Sequence, residues 1–225
     1  TETCYGIGAD ATNQEAIDKL LSYKTKRQDK ALSIAVADQK MAEEYVELNK
    51  TAKEVYKNFL PGPVTVVSKG KGKLAKHVES SNGTQGVRIP DYLLVRELVK
   101  QFGKPITSTS ANASYKKTPY CVQDVLDNTT KKQQELVGLF IDAGQLQKRK
   151  PSTVIDTTLD NIHIVRSGAL ELSNPKTLRV QSENETRAFA KTIFEEVQED
   201  VGKKAIVFLL EGDLGAGKTF LSKKM

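Results

Sequence analysis

Apolar residues along the chain alternate between helical stripes and short extended runs. Asn13 caps a helix whose apolar face is Ala16, Ile17, Leu20 and Leu21. The basic stretch from Lys24 to Lys30 follows, and Ala31–Ala37 then reads as a strand. Residues 39–59 carry one long helical stripe, which Pro61-Gly62-Pro63 stops before the strand Val64–Lys69. Gln85–Ile89 predicts a short strand, Tyr92–Phe102 a helix, Pro105–Thr109 a strand and Val122–Asn128 a helix. Val137–Asp142, Thr153–Thr157 and Ile162–Arg166 read as further strands. The alternation predicts an α/β fold with a mixed sheet.

Periodicity weakens over residues 173–181, the predicted linker, and then restarts. Ser182-x-x-Glu185 is a capping-box pattern, and Ala188, Ile193, Phe194 and Val197 give the following helix an apolar face. The strand Ala205–Leu210 and a Gly-rich turn come next. This predicts a main domain over 1–172 and a second, partial α/β unit over 182–225.

Composition narrows the class. Apolar residues are 38% and charged residues 28%, a balance that permits a buried core. No run of 18 apolar residues occurs, so no membrane partner is expected. The net charge of +6 fits either a solvated lysine-rich surface or a phosphate-bearing partner, nucleotide or RNA. Charge alone does not separate the two. Cys4 and Cys121 form no C-x-x-C pair, and only His77 and His163 accompany them, which argues against structural zinc. It also argues against a disulfide framework and predicts a reducing, cytoplasmic compartment. A start at Thr1 and an end at Met225, a few residues into a predicted helix, read as a piece of a longer protein.

The Gly-rich turn carries chemistry. Gly212-Asp-Leu-Gly215-Ala-Gly217-Lys218-Thr219 fits G-x-x-x-x-G-K-[ST] between a predicted strand and a predicted helix. Gly212, Gly215 and Gly217 let backbone N–H groups curl around phosphates. Lys218 would reach the β/γ-phosphates of ATP, and the Thr219 hydroxyl would bind Mg²⁺. Ser182-Glu-Asn-Glu-Thr186, a helix, a strand and Glu211–Thr219 together resemble the start of the TsaE family of small P-loop ATPases. The resemblance covers about 45 residues and implies ATP as ligand there. The remaining strands and the metal-holding carboxylate of that family are not in the sequence.

In the main domain, Ser108-Thr-Ser110-Ala-Asn112 closes a predicted strand, where short polar side chains suit a small polar ligand. Lys24, Lys26, Arg27, Arg88 and Arg166 sit near predicted turns, and arginine suits bidentate capture of carboxylate or phosphate. Five motifs follow in order. They are Thr1-Glu-Thr3-Cys-Tyr5-Gly-Ile-Gly8, Leu60-Pro-Gly-Pro-Val-Thr65, Gly86-Val-Arg88-Ile-Pro90, Ser108–Asn112, and Ser152-Thr-Val-Ile-Asp156 with Val165-Arg166-Ser-Gly168. Together they resemble the YrdC-type (TsaC) threonylcarbamoyl-AMP synthases over residues 1–170.

That resemblance implies a YrdC-like twisted mixed sheet with flanking helices. It implies condensation of L-threonine, bicarbonate and ATP into threonylcarbamoyl-AMP, with pyrophosphate released, for threonylcarbamoyladenosine in tRNA. Carried over by motif, Thr3 contacts threonine, and Lys24 and Lys26 approach the ATP phosphates. The family has arginine at the Lys26 position, and a one-residue shift hands that role to Arg27. Thr84 and Arg88 flank the nucleotide and the threonine carboxylate. Ser108, Ser110 and Asn112 line the floor, and Thr118, Ser152 and Arg166 complete the nucleotide side. The cofactors implied are ATP and Mg²⁺; the partners implied are proteins of the same tRNA-modification pathway. With no nucleophile or carboxylate pair in the motifs, catalysis would rest on positioning and charge stabilisation. A second reading is a non-catalytic RNA-binding module, although no aromatic stacking platform stands out. A third is a P-loop regulatory ATPase with an inert front domain, against which the five ordered motifs argue.

Overall fold

The computed structural model describes residues 1–25, 31–113, 116–159, 163–170, 180, 182–198 and 218–222. The chain divides into two compact units, Thr1–Glu171 and Leu172–Met225.

The first unit opens with β1 (Gly6–Ile7) and α1 (Gln14–Lys24). Asn13 caps α1 by accepting the Ala16 N–H at 3.1 Å, and Ile17 and Leu20 of its apolar face are buried. β2 (Ile34–Ala35) follows. It is shorter than the expected Ala31–Ala37 on its entry side, where the Leu32 N–H leaves the sheet for Val78 O, while the Val36 N–H still donates to Arg88 O of the neighbouring strand.

The expected single helix over 39–59 is two helices. α2 (Gln39–Tyr45) and α3 (Lys50–Phe59) are separated by β3 (Val46–Glu47). Each helix has its own cap: Asp38 accepts from Met41 N–H and Asn49 from Ala52 N–H, both at 2.8 Å. The buried, β-branched Val46 pairs with Gly70 on the next strand, which an unbroken helix would forbid.

β4 (Val64–Gly70), β5 (Thr84–Arg88) and α4 (Leu93–Phe102) lie close to their predicted bounds. The expected strand Pro105–Thr109 splits into β6 (Ile106–Thr107) and β7 (Thr109–Ser110). The Ser108 N–H donates to Ser33 O at 2.7 Å, and the chain passes there from one sheet to another. α5 (Val122–Asp127) and α6 (Lys131–Gln134) follow, then β8 (Thr153–Asp156) and β9 (His163–Arg166).

Val137–Asp142 is not a strand. Leu139 is 74% exposed, and no strand among the described residues pairs with this segment. Alternating hydrophobicity makes a strand only where a partner edge exists.

Among the described residues the main sheet has seven strands: the path β6-β2-β5-β4-β8-β9, with β3 paired to β4. β2–β5 and β4–β8 are parallel and the other pairs antiparallel, so the sheet is mixed as expected. β1 and β7 form a separate antiparallel ribbon with Gly6 opposite Ser110. One core joins α1, α3 and the sheet through Ile17, Leu20, Ile34, Val55, Val66 and Ile155.

In the second unit, α7 spans Glu183–Val197 and α8 Lys218–Ser222. Ser182 Oγ accepts the Glu185 N–H at 3.2 Å, as the capping pattern predicts. The buried side of α7 is centred on Ala190, whereas Ala188 and Phe194 of the expected face are exposed. The predicted strand Ala205–Leu210, the turn glycines Gly212, Gly215 and Gly217, and nearly all of the predicted linker lie outside the described residues.

Candidate functional site

A polar cavity of about 340 Å³ opens where the β1–β7 ribbon meets the ends of β5 and β8. Thr3, Arg88, Ser108, Ser110, Thr118, Ser152 and Arg166 all line it. These residues come from motifs spread over most of the first unit. Cys4, Ser33, Thr65 and Arg149 join them.

The topology explains the convergence. Arg88 ends β5, beside β2 and β4, and Thr65 lies on β4 next to β8. Thr65 and Ser152 share a buried hydroxyl contact of 3.0 Å. Gly86 keeps β5 close to its neighbours: a Cβ there would stand 2.9 Å from Ser33 Oγ and 3.1 Å from Thr65 Cγ2. Gly168 is tighter, because its Cβ would lie 2.2 Å from Pro151 O. That approach lets Ala169 N–H donate to Pro151 O at 2.8 Å and seats Ser152 beside Arg166.

The cations are held firmly. Arg88 Nη2 donates to Glu2 Oε1, and the two side chains are 9% and 6% exposed. Arg88 Nε and Glu2 Oε2 are buried and have no hydrogen-bond partner. Arg166 donates from Nε and Nη2 to Ser152 O at 3.2 and 2.8 Å, and from Nη2 to Ser152 Oγ at 3.1 Å. Burial lowers the Arg166 pKa, and the neighbouring Arg88 charge lowers it further. Two guanidiniums lining one polar cavity, with Glu2 offsetting one, suit an anionic ligand. Burial pushes the Cys4 thiol up, so at neutral pH it lines the cavity as a neutral group rather than a nucleophile.

The Ser110–Asn112 loop is fastened from α1. Lys24 Nζ donates to Ser110 O at 2.8 Å and to Asn112 O at 2.6 Å. Between them, Tyr23 OH donates to Ala111 O at 2.5 Å. Gln133 Nε2 in turn holds Tyr23 O at 2.6 Å. Three successive carbonyls thus receive buried donors, and the hydroxyl of Ser110 is left to the cavity.

Some expected site residues lie elsewhere. Lys24 is not a lining residue; its ammonium is on the loop carbonyls. Thr84 is not one either: it stands at the far end of β5 and shares a 2.8 Å hydroxyl contact with Ser80. Asn112 sits behind the floor, with Nδ2 donating to Lys116 O. Lys26 and Arg27 lie outside the described residues. In the second unit Thr219 is exposed on α8, while Gly212, Gly215, Gly217 and the Lys218 side chain lie outside them.

Glu2, Tyr23, Thr65 and Arg149 were not expected as site residues. Glu2 and Thr65 lie inside motifs that already pointed to the site. Tyr23 offered no signal, because its buried hydroxyl finds a partner only across the fold.

Among the described residues the cavity's polar side chains do not form a magnesium cage. They are hydroxyls, guanidiniums and the Cys4 thiol, and the adjacent carboxylate of Glu2 is taken up by Arg88. Among the described residues no cluster of three or more His, Cys, Asp or Glu side chains is poised for a metal. A second cavity of about 550 Å³, lined by Tyr5, Leu98, Phe102 and Phe140 among others, is chiefly apolar. Of the described residues expected at the site, it is lined by Ser108 alone.

A family model for Sua5, YciO and YrdC proteins, described as telomere recombination, matches residues 1–168. A Methanocaldococcus jannaschii protein, provisionally named a threonylcarbamoyl-AMP synthase, is 37% identical over 172 residues, 76% of this chain and 79% of that protein. The threonylcarbamoyl-AMP synthase of Vibrio vulnificus is 34% identical over 168 residues, 72% of this chain and 87% of that one. Among solved structures, Pyrococcus abyssi Sua5 complexed with L-threonine superposes with a TM-score of 0.70 at 29% identity, over 76% of this chain. The chain spans about half the length of that protein, 50% of it. Escherichia coli YciO shares the fold, with a TM-score of 0.68 at 24% identity. From its amino-terminal motifs to Gly168, the chain belongs to the Sua5/YciO/YrdC family.

Proposed function

We propose that the first unit is an L-threonylcarbamoyladenylate synthase. It condenses L-threonine, bicarbonate and ATP into threonylcarbamoyl-AMP, pyrophosphate and water, supplying the threonylcarbamoyladenosine modification of tRNA. One observation carries the reading: Thr3, Arg88, Ser110, Ser152 and Arg166, distant in sequence, share one cavity. The names of the relatives support it.

The chemistry suits the lining. Threonine's amine adds to the carbon of CO₂ or bicarbonate, and a carbamate oxygen then attacks the α-phosphorus. The bond to pyrophosphate breaks. Arg88, with Nε unpaired, is placed to receive a carboxylate or phosphate oxygen. Ser108, Ser110 and Ser152 supply short polar contacts, and Arg166 fixes Ser152. Aligned reactants supply on the order of 7–11 kcal/mol of barrier lowering without a protein nucleophile. Thr3 is the expected contact of the threonine.

The same reading takes the second unit as the start of a TsaE-like P-loop ATPase, with Lys218 and Thr219 serving ATP and Mg²⁺. Cytoplasmic location, pathway protein partners and RNA contact through the +6 charge belong to it as well. No described helix is long and apolar enough to cross a membrane.

The test is incubation with ATP, labelled threonine and bicarbonate, scored for pyrophosphate and threonylcarbamoyl-AMP. Product is expected, and Arg88→Ala and Ser110→Ala should each remove most of it. Unchanged rates in both variants would defeat the site assignment.

A further inference from the structure

The rim of the polar cavity carries a positive charge that the five motifs leave unassigned. Arg149 lines the same cavity as the buried Arg88 and, like Arg166, is exposed. It sits between Lys148 and Lys150, immediately before Pro151-Ser152. Tyr120 holds the segment: its carbonyl accepts the Leu146 N–H at 2.7 Å, and its hydroxyl donates to Arg149 O at 3.1 Å. The backbone is therefore pinned while the guanidinium stays in solvent. Its Nη2 donates to Gln147 Oε1 at a long 3.3 Å. Thr118 also lines the cavity and follows the exposed Lys116 and Lys117.

The cavity thus has two chemically different ends. At one end the buried Arg88 is offset by Glu2, and the exposed Arg166 is bonded to Ser152. At the rim, no carboxylate among the described residues lines the cavity to offset Arg149. A small, singly charged group suits the first. A polyphosphate, whose several charges are costly to desolvate, suits the second, where the exposed Arg149 meets it in water. Arginine's planar fork also matches two phosphate oxygens at once.

We propose that Arg149, flanked by Lys148 and Lys150, is the subsite for the terminal phosphates of ATP and for the departing pyrophosphate. This rests on the synthase reading and names where its leaving group sits. Such a site holds pyrophosphate only moderately, because water and salt compete for it, and that favours release.

The test is titration calorimetry of the full chain with inorganic pyrophosphate, ATP, AMP and L-threonine. Arg149→Ala should weaken pyrophosphate and ATP about tenfold, the effect of losing one charge-assisted contact. AMP and L-threonine affinities should not change. Arg149→Lys should retain part of the binding, and higher salt should shrink the difference. An unaltered unfolding midpoint for Arg149→Ala shows that its fold is intact. Equal pyrophosphate affinity in wild type and Arg149→Ala overturns the proposal, as does an equal loss of AMP binding. The outcomes separate this subsite from the function. If the wild type makes no threonylcarbamoyl-AMP but Arg149→Ala weakens pyrophosphate, the subsite stands and the synthase reading falls. If product forms and pyrophosphate affinity is unchanged, the reverse holds.

Discussion

Glu2 and Arg88 offer the sharpest test of how the site is held. Their side chains are 6% and 9% exposed, and one carboxylate oxygen is bonded to one guanidinium nitrogen. At an effective dielectric of about 20, charges about 4 Å apart attract by about 4 kcal/mol. Glu2→Ala removes that attraction and leaves Arg88 buried beside Arg166. Removing one partner of a buried pair costs about 3–5 kcal/mol. Glu2→Gln keeps an acceptor but not the charge, so its cost should be about 1.5–3 kcal/mol. Replacing both partners by apolar residues, Glu2→Leu with Arg88→Met, should restore most of the stability, because no buried charge is left alone.

Urea unfolding followed by tyrosine fluorescence reads this directly. The chain has no Trp, and all seven Tyr fall within residues 1–171, so the signal reports the first unit. Losses of about 0.5 kcal/mol or less for Glu2→Ala would refute the reasoning. So would a double variant whose cost equals the sum of its parts.

Three further outcomes follow from the same geometry. Gly168→Ala should destabilise the first unit by about 1–3 kcal/mol or more and depress synthase activity, because its Cβ meets backbone atoms of Pro151 to Thr153 that no rotamer change relieves; an unfolding midpoint equal to wild type would count against the fit. Tyr23→Phe strips the donor from Ala111 O and should cost about 1–3 kcal/mol and raise the KM for threonine, measured by steady-state kinetics beside urea unfolding. The Asp142 carboxyl is held below its ordinary 3.8, chiefly by the Gly144 N–H and then by the Tyr5 hydroxyl. A depressed pKa means that the unfolded chain takes up the proton first. The stabilisation is therefore full above 3.8 and lost as pH falls below it, and Asp142→Asn should flatten the acid limb of the urea midpoint against pH.

Much of the candidate site is legible in the order of residues alone. Thr3, Arg88, Ser108, Ser110, Ser152 and Arg166 lie in motifs whose residue types suit a small anionic ligand, and they line one cavity. Thr84 illustrates the limit. Only four residues before Arg88, on an extended strand, it stands a strand's length away and binds Ser80. Lys24 shows another limit: the resemblance implies a phosphate contact, and only the fold shows that its ammonium lies against two loop carbonyls.

The one-dimensional pattern determined which segments are apolar enough to bury, where Asn13 and Ser182 start helices, and that strands and helices alternate. Those properties depend on neighbours within a few residues, so local order records them. Whether an apolar segment becomes a strand depends on an edge elsewhere in the chain. Val46 finds one in Gly70 and breaks a helical stripe, while Leu139 finds none among the described residues and stays exposed. The Glu2–Arg88 pair, the three carbonyls fastened by Tyr23 and Lys24, and the place of Arg149 at the rim were likewise decided by tertiary structure. Each joins groups far apart in sequence, and a buried charge or hydroxyl acquires a role only when folding supplies its partner.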